Sequence, residues 1–416
     1  MKKLEKKFDV AIIGGGPAGI MAAIQAGKNG AKTVLIEKTD KLGKKLLITG
    51  KGRCNITNAY NNTREYINTL GNNAKFLYSA LNKFNNNDVV IFFNKLGVKT
   101  KIERGNRIFP KSDKSFDVLN ALIKELKNSS VTVITNTEVK KIIYNKNKIK
   151  KINTSNGDIT AENYIICTGG LSYPETGSSG DGYKWAKELG HKIITPRPAL
   201  TPILIYENFI KNLEGLSLKN VKISVWQNNK KKDERLGEAL FTFKGMSGPV
   251  ILDMSKNIGQ LLNNGKTELK IDFKPGLDYK KLDQRIQTDF AETKNKIFKN
   301  SLDKLLPQKI IPVIIKLSGI NPNKKINEIT KEERKKILKL LKEFNLNIKS
   351  VGGFDKAIIT NGGIDLKEID PKTMRSRIVN NLYFAGEILD LDGPTGGYNL
   401  QVCWSTGYLA GISCIK

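Results

Sequence analysis

Histidine is almost missing from this chain: His191 is the only one in 416 residues. It falls just after a helix predicted to end at Gly190, so it reads as a cap on that helix's C-terminus rather than as an acid–base group. Cysteine is scarce as well. Cys54, Cys167, Cys403 and Cys414 are widely scattered and form no CxxC pair, which argues against a disulfide framework or a zinc site and suits a reducing, cytoplasmic setting. No apolar run approaches the roughly 20 residues of a membrane span. The opening MKKLEKK is basic, but the apolar piece after it is short and runs into glycines, so it does not read as a signal peptide. No repeat of fixed period is visible.

Acidic residues are the other shortage: 40 Asp and Glu face 70 Lys and Arg, a net charge of +30. A genome bias toward Lys and Asn is the plain reading, and the Asn-rich turns at 61–62 and 85–87 support it. Bias alone does not readily explain so large a surplus. Residues 198–350 hold 30 basic against 17 acidic residues, close to the chain average, so the charge is spread rather than confined to one module. A surplus of this size draws polyanions through counterion release, and contact with RNA or the ribosome is therefore expected.

What is present starts at residues 8–37, FDVAIIGGGPAGIMAAIQAGKNGAKTVLIE. A short apolar run at 9–13 suits a buried parallel strand, and Gly14, Gly16 and Gly19 follow in GxGxxG spacing. A helix, a second apolar strand and an acid, Glu37, come next in the order a dinucleotide site needs. Gly14 permits the tight turn, Gly16 lets backbone approach a diphosphate, and Gly19 lets helix and strand pack closely. Helix N–H groups beyond Pro17 and Ala18 then face the phosphates, and Glu37 can accept hydrogen bonds from ribose hydroxyls. A lone GxGxxG is weak evidence. Strand, helix, second strand and acid in register are not.

At 416 residues two or three domains are expected. Residues 40–58 are glycine-rich and basic and read as a functional loop. Helices are expected at 63–84, 85–97 and 116–126, and strands at 131–135, 138–144 and 149–154, with a hairpin turn at Asn156 and Gly157. A second strand-to-glycine junction follows at 164–183. From about residue 201 the texture changes to strands at 203–206, 221–227, 240–243 and 269–273, with a basic hairpin tip at 228–232. Residues 280–345 turn helical: Leu282, Ile286 and Phe290 recur every four residues, and Thr330 with Glu333 makes a capping box. The Lys and Arg between them read as a solvated helix face. A strand at 381–385 and a glycine loop into a helix near Tyr398 return to the opening style.

Three stretches, GGGPAG with Glu37, ICTGG at 166–170 and YFAGE at 383–387, resemble the FAD-contacting segments of two-dinucleotide-binding-type flavoproteins. TGKGRCNITN, TGGLSYPETGSSGDGY, GMSGP and AGEILDLDGPTGGYNLQ further resemble one bacterial flavoprotein family with ribosomal RNA dihydrouridine synthase-like, steroid enone reductase-like and aminoacetone oxidase-like members. The resemblance covers nearly the whole chain. It implies an α/β fold with a Rossmann-like FAD-binding domain (1–197 plus 351–416), an inserted β-rich, barrel-like domain (198–278 plus 346–350) and a small helical domain (279–345). Glu387 stands where the pattern has an aspartate for the ribityl or phosphate part of FAD. Phe243 stands where the family usually has His, so no role of that His carries over.

The expected FAD contacts are Gly14, Gly16, Pro17, Ala18, Gly19, Glu37, Lys38, Lys45, Gly52, Arg53, Thr168, Gly169, Gly386, Glu387, Gly397, Asn399 and Leu400. One fingerprint and no CxxC argue against a separate nicotinamide domain, so NADPH or NADH would visit the substrate's face of the flavin. Uridine and enone reduction share one chemistry: hydride to the β-carbon of a double bond conjugated to a carbonyl, then a proton to the α-carbon. Cys54, in an Arg/Lys-rich loop, is the leading donor candidate and Tyr398 the alternative, each with a packing role as its plain reading; Cys403 reads as core. Arg53 and Asn55 could hold a carbonyl or phosphate of the substrate, with pairing to a local acid the plain alternative for Arg53. Charge favours ribosomal RNA as substrate, since an enone or aminoacetone gains nothing from it. A flavin-containing RNA-binding assembly factor is the non-enzymatic alternative. No metal and no membrane are expected.

Overall fold

β1 (Lys6–Ile13) runs into the glycine turn, the first helix (Pro17–Lys28) follows, and β2 (Thr33–Ile36) lies parallel to β1. Val10 to Ile13 and all of β2 are buried. Strands covered on both faces need continuous apolar runs, which is what these segments hold. The structure, a computed structural model, describes residues 6–415; the reading of the first five residues as no signal peptide falls outside them. The chain divides into two compact units, Met1–Pro198 with Phe354–Lys416, and Ala199–Gly353.

The first unit continues with β3 (Thr57–Asn58), β4 (Thr100–Glu103) and β5 (Arg107–Pro110), a three-stranded sheet in the order β3-β5-β4. Next come the helix Ser115–Asn128, then β6 (Thr132–Ile134), β7 (Val139–Asn145), β8 (Lys148–Thr154), β9 (Gly157–Ile166), the helix Asp181–Glu188 and β10 (Ile193–Ala199).

In the second unit β11 (Ile203–Ile205), β12 (Ser217–Gln227), β13 (Lys230–Thr242), β14 (Gly245–Ser247), β15 (Thr267–Asp272) and β16 (Phe344–Val351) close a barrel in the order β11-β14-β13-β12-β15-β16. Asn228 and Asn229, both at positive φ, turn the β12–β13 hairpin. A helix at Pro249–Leu262, absent from the sequence expectation, buries Val250, Ile251, Met254 and Ile258. Leu282, Ile286 and Phe290 face inward from the helix Tyr279–Glu292, and Thr330 and Glu333 form both bonds of a capping box. These helices and the barrel share one apolar core.

The chain returns to the first unit with β17 (Ile359–Ile364), paired with β10, and β18 (Leu382–Phe384), parallel to β9. The large sheet has seven strands in the order β6-β2-β1-β9-β8-β7, with β18 also on β9. The last helix (Tyr398–Ser413) packs on the first through Gly407 and Gly411. A Cβ on Gly407 would lie 2.4 Å from the Ala18 carbonyl oxygen and one on Gly411 2.5 Å from that of Ala22. Among the described residues no helix is long and apolar enough to cross a membrane, and no group of three or more His, Cys, Asp or Glu is arranged to hold a metal.

Candidate functional site

An open cleft lies where β1, β2 and β9 end, lined by the first glycine turn, Glu37, the 41–45 segment, Thr168, Gly169 and Glu387. Its three fingerprint glycines are there for three different reasons. Gly14 has φ +106° and a Cβ on it would stand 2.5 Å from the Cys167 carbonyl oxygen. A Cβ on Gly19 would meet the Gly14 carbonyl oxygen at 1.9 Å, whereas one on Gly16 would meet nothing within 4 Å. Gly16 thus keeps open the approach to the first helix, whose N-terminus carries no side-chain cap. Uncapped helix N–H groups beside free space suit a diphosphate.

The carboxylate of Glu37 is held by the backbone. Gly15 N–H donates to Oε2 and Thr39 N–H to Oε1, both at 2.8 Å. Gly15, the middle glycine, was the missed partner, and the only signal for it was the extra G inside the run of three. Lys38 pairs with Asp181 at 2.8 Å and also contacts Ser179. Lys45 pairs with Glu387 at 2.7 Å, and Thr360 N–H donates to the other oxygen of Glu387 at 2.8 Å. Lys41 and Lys44 add positive charge along the same wall, the latter 2.6 Å from Asp40. Thr168 Oγ1 is buried with no hydrogen-bond partner. A buried hydroxyl left unsatisfied is costly, and a ligand oxygen in the cleft would relieve it. Asp181, Trp185 and Cys403, also on the cleft wall, were not expected there. Cys403 is partly buried rather than core, and burial pushes its thiol up to about 12.

Two loops far apart in sequence meet at a second locus. A Cβ on Gly397 (φ +98°) would fall 2.4 Å from the Thr57 carbonyl oxygen. Thr57 Oγ1 donates to Gln401 Oε1 at 2.5 Å, and Asn58 Nδ2 to the Gly396 carbonyl at 3.0 Å. Within the first loop Gly50, Lys51, Gly52 and Cys54 all have φ between +58° and +82°. Non-glycine residues held there cost free energy that surrounding structure must offset, a pattern that clusters at functional sites. Asn55 Oδ1, adjacent, is buried without a partner. Tyr398 is partly exposed, its ring tilted against Tyr66 at 5.4 Å and its carbonyl accepting from the Tyr66 hydroxyl at 2.8 Å.

Several expected roles meet a different environment. Cys54 is fully buried, and burial pushes its thiol up to about 12. A sealed thiol cannot exchange protons with a ligand, so the geometry disfavours it as a donor. Arg53 makes two bonds to Glu103 at 3.0 and 3.1 Å and one to Asp113 at 3.0 Å. Its guanidinium also lies 3.9 Å over the Phe109 ring. It is a structural tie between the loop and the three-stranded sheet, the local-acid alternative. Asn399 uses its side chain to close its own loop: Gly393 N–H donates to it, and it donates to the Gly393 carbonyl, both at 2.9 Å. Leu400 packs against the apolar core, and Gly386 (φ +82°) brings its backbone against Ala18. His191 does close the helix end, its N–H donating to the Ala186 carbonyl at 2.9 Å behind Gly190 (φ +93°), but its ring has partners of its own. It is 3% exposed, with Nδ1 3.0 Å from Glu368 and Nε2 2.9 Å from Ser376.

The family model described as HI0933-like protein Rossmann domain matches residues 8–413. A 3-dehydro-bile acid delta(4,6)-reductase of Clostridium scindens is 32% identical over 405 residues, 97% of this chain and 98% of that one. Ribosomal RNA dihydrouridine synthases of Escherichia coli and Haemophilus influenzae are 29% and 30% identical, each comparison covering 97% of both chains. Among solved structures, a 3-ketosteroid-delta4-(5alpha)-dehydrogenase from Rhodococcus jostii matches with TM-score 0.54 at 14% identity, covering all of this chain and 98% of that one, a likeness of fold.

Proposed function

Because the chain belongs to the HI0933-like family of FAD-dependent Rossmann oxidoreductases, we propose that it reduces the C5=C6 bond of a uridine in large-subunit (23S) ribosomal RNA to dihydrouridine, with NADPH or NADH as electron donor. The observation that carries this choice of substrate is the net charge of +30. Counterion release rewards a polyanionic substrate and gives a free steroid or amine nothing.

FAD, when bound, supplies the hydride transfer. The residues of the cleft fit it: the open side of Gly16 and the uncapped first helix receive the diphosphate, Glu37 takes ribose hydroxyls, and Thr168 Oγ1 gains the partner it lacks. Lys45 and Thr360 fix the Glu387 carboxylate so that it presents one orientation to the cofactor. Tyr398, not Cys54, delivers the proton to uracil C5, because its side chain is partly exposed while the thiol is sealed. Water then restores the tyrosine proton, so the balance is one hydride and one proton added across the bond. A uracil inside folded RNA must be splayed out to reach such a site.

Mass mapping of ribosomal RNA from a deletion strain tests the proposal. One dihydrouridine should disappear and return on complementation; an unchanged modification profile would overturn the reading. The 32% relative that reduces a bile acid supports a second reading, reduction of a steroid-type enone. That reading gains if the reduced enzyme is reoxidised by a 3-keto-4,6-diene without air and the rRNA profile stays intact.

A further inference from the structure

β7 is an edge strand of the seven-stranded sheet and pairs with β8 as a hairpin. Residues 139–151 hold six lysines and no carboxylate. Lys140, Lys141, Lys146, Lys148 and Lys150 are exposed; Lys151 is neutralised by Asp158 at 2.7 Å. Glu162, 3.9 Å from Lys148 and 3.7 Å from Lys7, is one carboxylate shared between two lysines and offsets only part of their charge. Tyr144, opposite the buried Ile149 in the ladder and so on the other face from Lys148, is 44% exposed, its hydroxyl donating to the Glu188 carbonyl at 2.9 Å. That bond fixes the ring.

The hairpin is also held firmly. Asn381 accepts from Ile149 N–H at 2.8 Å and donates to the carbonyls of Ile149 and Glu162 at 3.0 and 2.9 Å, while Asn380 N–H donates to the Asn147 carbonyl at 2.8 Å. Lysines on an edge strand guard against edge-to-edge pairing, but charge of either sign does that. Five exposed lysines with one shared carboxylate among them leave a net positive surface whose charges repel one another unless a polyanion meets them. Alternate residues on a strand lie about 6.7 Å apart, so Lys148 and Lys150 can each take a separate backbone phosphate.

We propose that the β7–β8 hairpin is an RNA-docking surface, its lysines on backbone phosphates. This rests on the ribosomal RNA reading above. The test uses the full-length, flavin-loaded protein and an in vitro transcript of 23S rRNA. One variant carries Lys140→Glu, Lys146→Glu, Lys148→Glu and Lys150→Glu, which keeps the edge charged. A matched variant carries Lys331→Glu, Lys335→Glu, Lys336→Glu and Lys339→Glu on the helix Lys331–Lys342, with the same change in net charge. The hairpin variant should bind at least about tenfold more weakly, and its log K against log salt should flatten by roughly 3, as loss of four phosphate contacts requires; the matched variant should lose far less. Equal losses in the two, or none in the hairpin variant, overturn the proposal. Bound-flavin absorbance reports folding in both, and Lys→Gln versions replace any Glu variant that loses its flavin. Modification mapping of the deletion strain is independent. A lost dihydrouridine with unaltered RNA affinity of the hairpin variant overturns the docking surface alone.

Discussion

Ser376 Oγ accepts from the N–H groups of Ile378 and Val379 at 3.0 and 2.8 Å, which leaves its own hydrogen for His191 Nε2. The imidazole must then carry its proton on Nδ1, facing Glu368. Burial lowers the His191 pKa and the Glu368 carboxylate opposes that shift only in part; Phe384, edge-on at 5.0 Å, adds no charge. With the folded value below the unfolded one of about 6.5, the unfolded chain binds more protons. The stabilisation is therefore full above that pH and is lost as pH falls through the folded value. Urea midpoints should drop between pH 7.5 and 5.5, and His191→Gln should flatten that fall; since this is the only histidine, an unaltered slope would refute the assignment. The donor assignment is testable at the same level. Cys54→Ala should retain flavin and most turnover, while Tyr398→Phe should retain flavin and lose about a hundredfold or more in turnover. The opposite ranking would restore the thiol.

The glycine turn, with the two helices that pack together behind it, separates cofactor binding from folding. Gly19→Ala forces a Cβ to 1.9 Å from the Gly14 oxygen, so it should lower both the melting temperature and FAD affinity. Gly16→Ala meets open space at an ordinary φ of −82°. It should leave the flavin-free protein's melting temperature within a few degrees but weaken FAD about tenfold or more, read by flavin fluorescence titration. Gly411→Leu should destabilise by about 1–3 kcal/mol or more, seen by calorimetry, because the last helix approaches the Ala22 backbone directly. The glycine turn could be read from spacing alone, since all its parts lie within about thirty residues. Gly407 and Gly411 could not, because their partners are some 390 residues earlier, and four-residue glycine spacing does not say which helix it faces.

For the molecule as a whole the surplus of charge makes salt the sharpest probe. If six or more phosphates are neutralised, affinity for the rRNA transcript should fall about a thousandfold or more between 50 and 200 mM salt, measured by filter binding. A near-flat salt dependence would remove the argument for an RNA substrate. The barrel-like domain, with 346–350 returning to it after the helices, was legible; which strands pair to close it was not. β16 comes after the run of helices and pairs with both β15 and β11, and the helix Pro249–Leu262 sits between strands where alternation suggested only sheet.

Local spacing sufficed wherever cause and effect lie within a few turns of chain: the fingerprint glycines, the strand before them, the capping box at Thr330 and the four-residue repeat of Leu282, Ile286 and Phe290. Backbone sterics and helical period act over such distances without help from the rest of the fold. The state of polar side chains depended instead on partners brought in from afar. Arg53 meets Glu103 and Asp113, His191 meets Glu368 and Ser376, and Cys54 is sealed by its surroundings. Hydrogen bonding and desolvation are set by whatever packing places within about 3 Å of an atom, and no spacing along the chain specifies that.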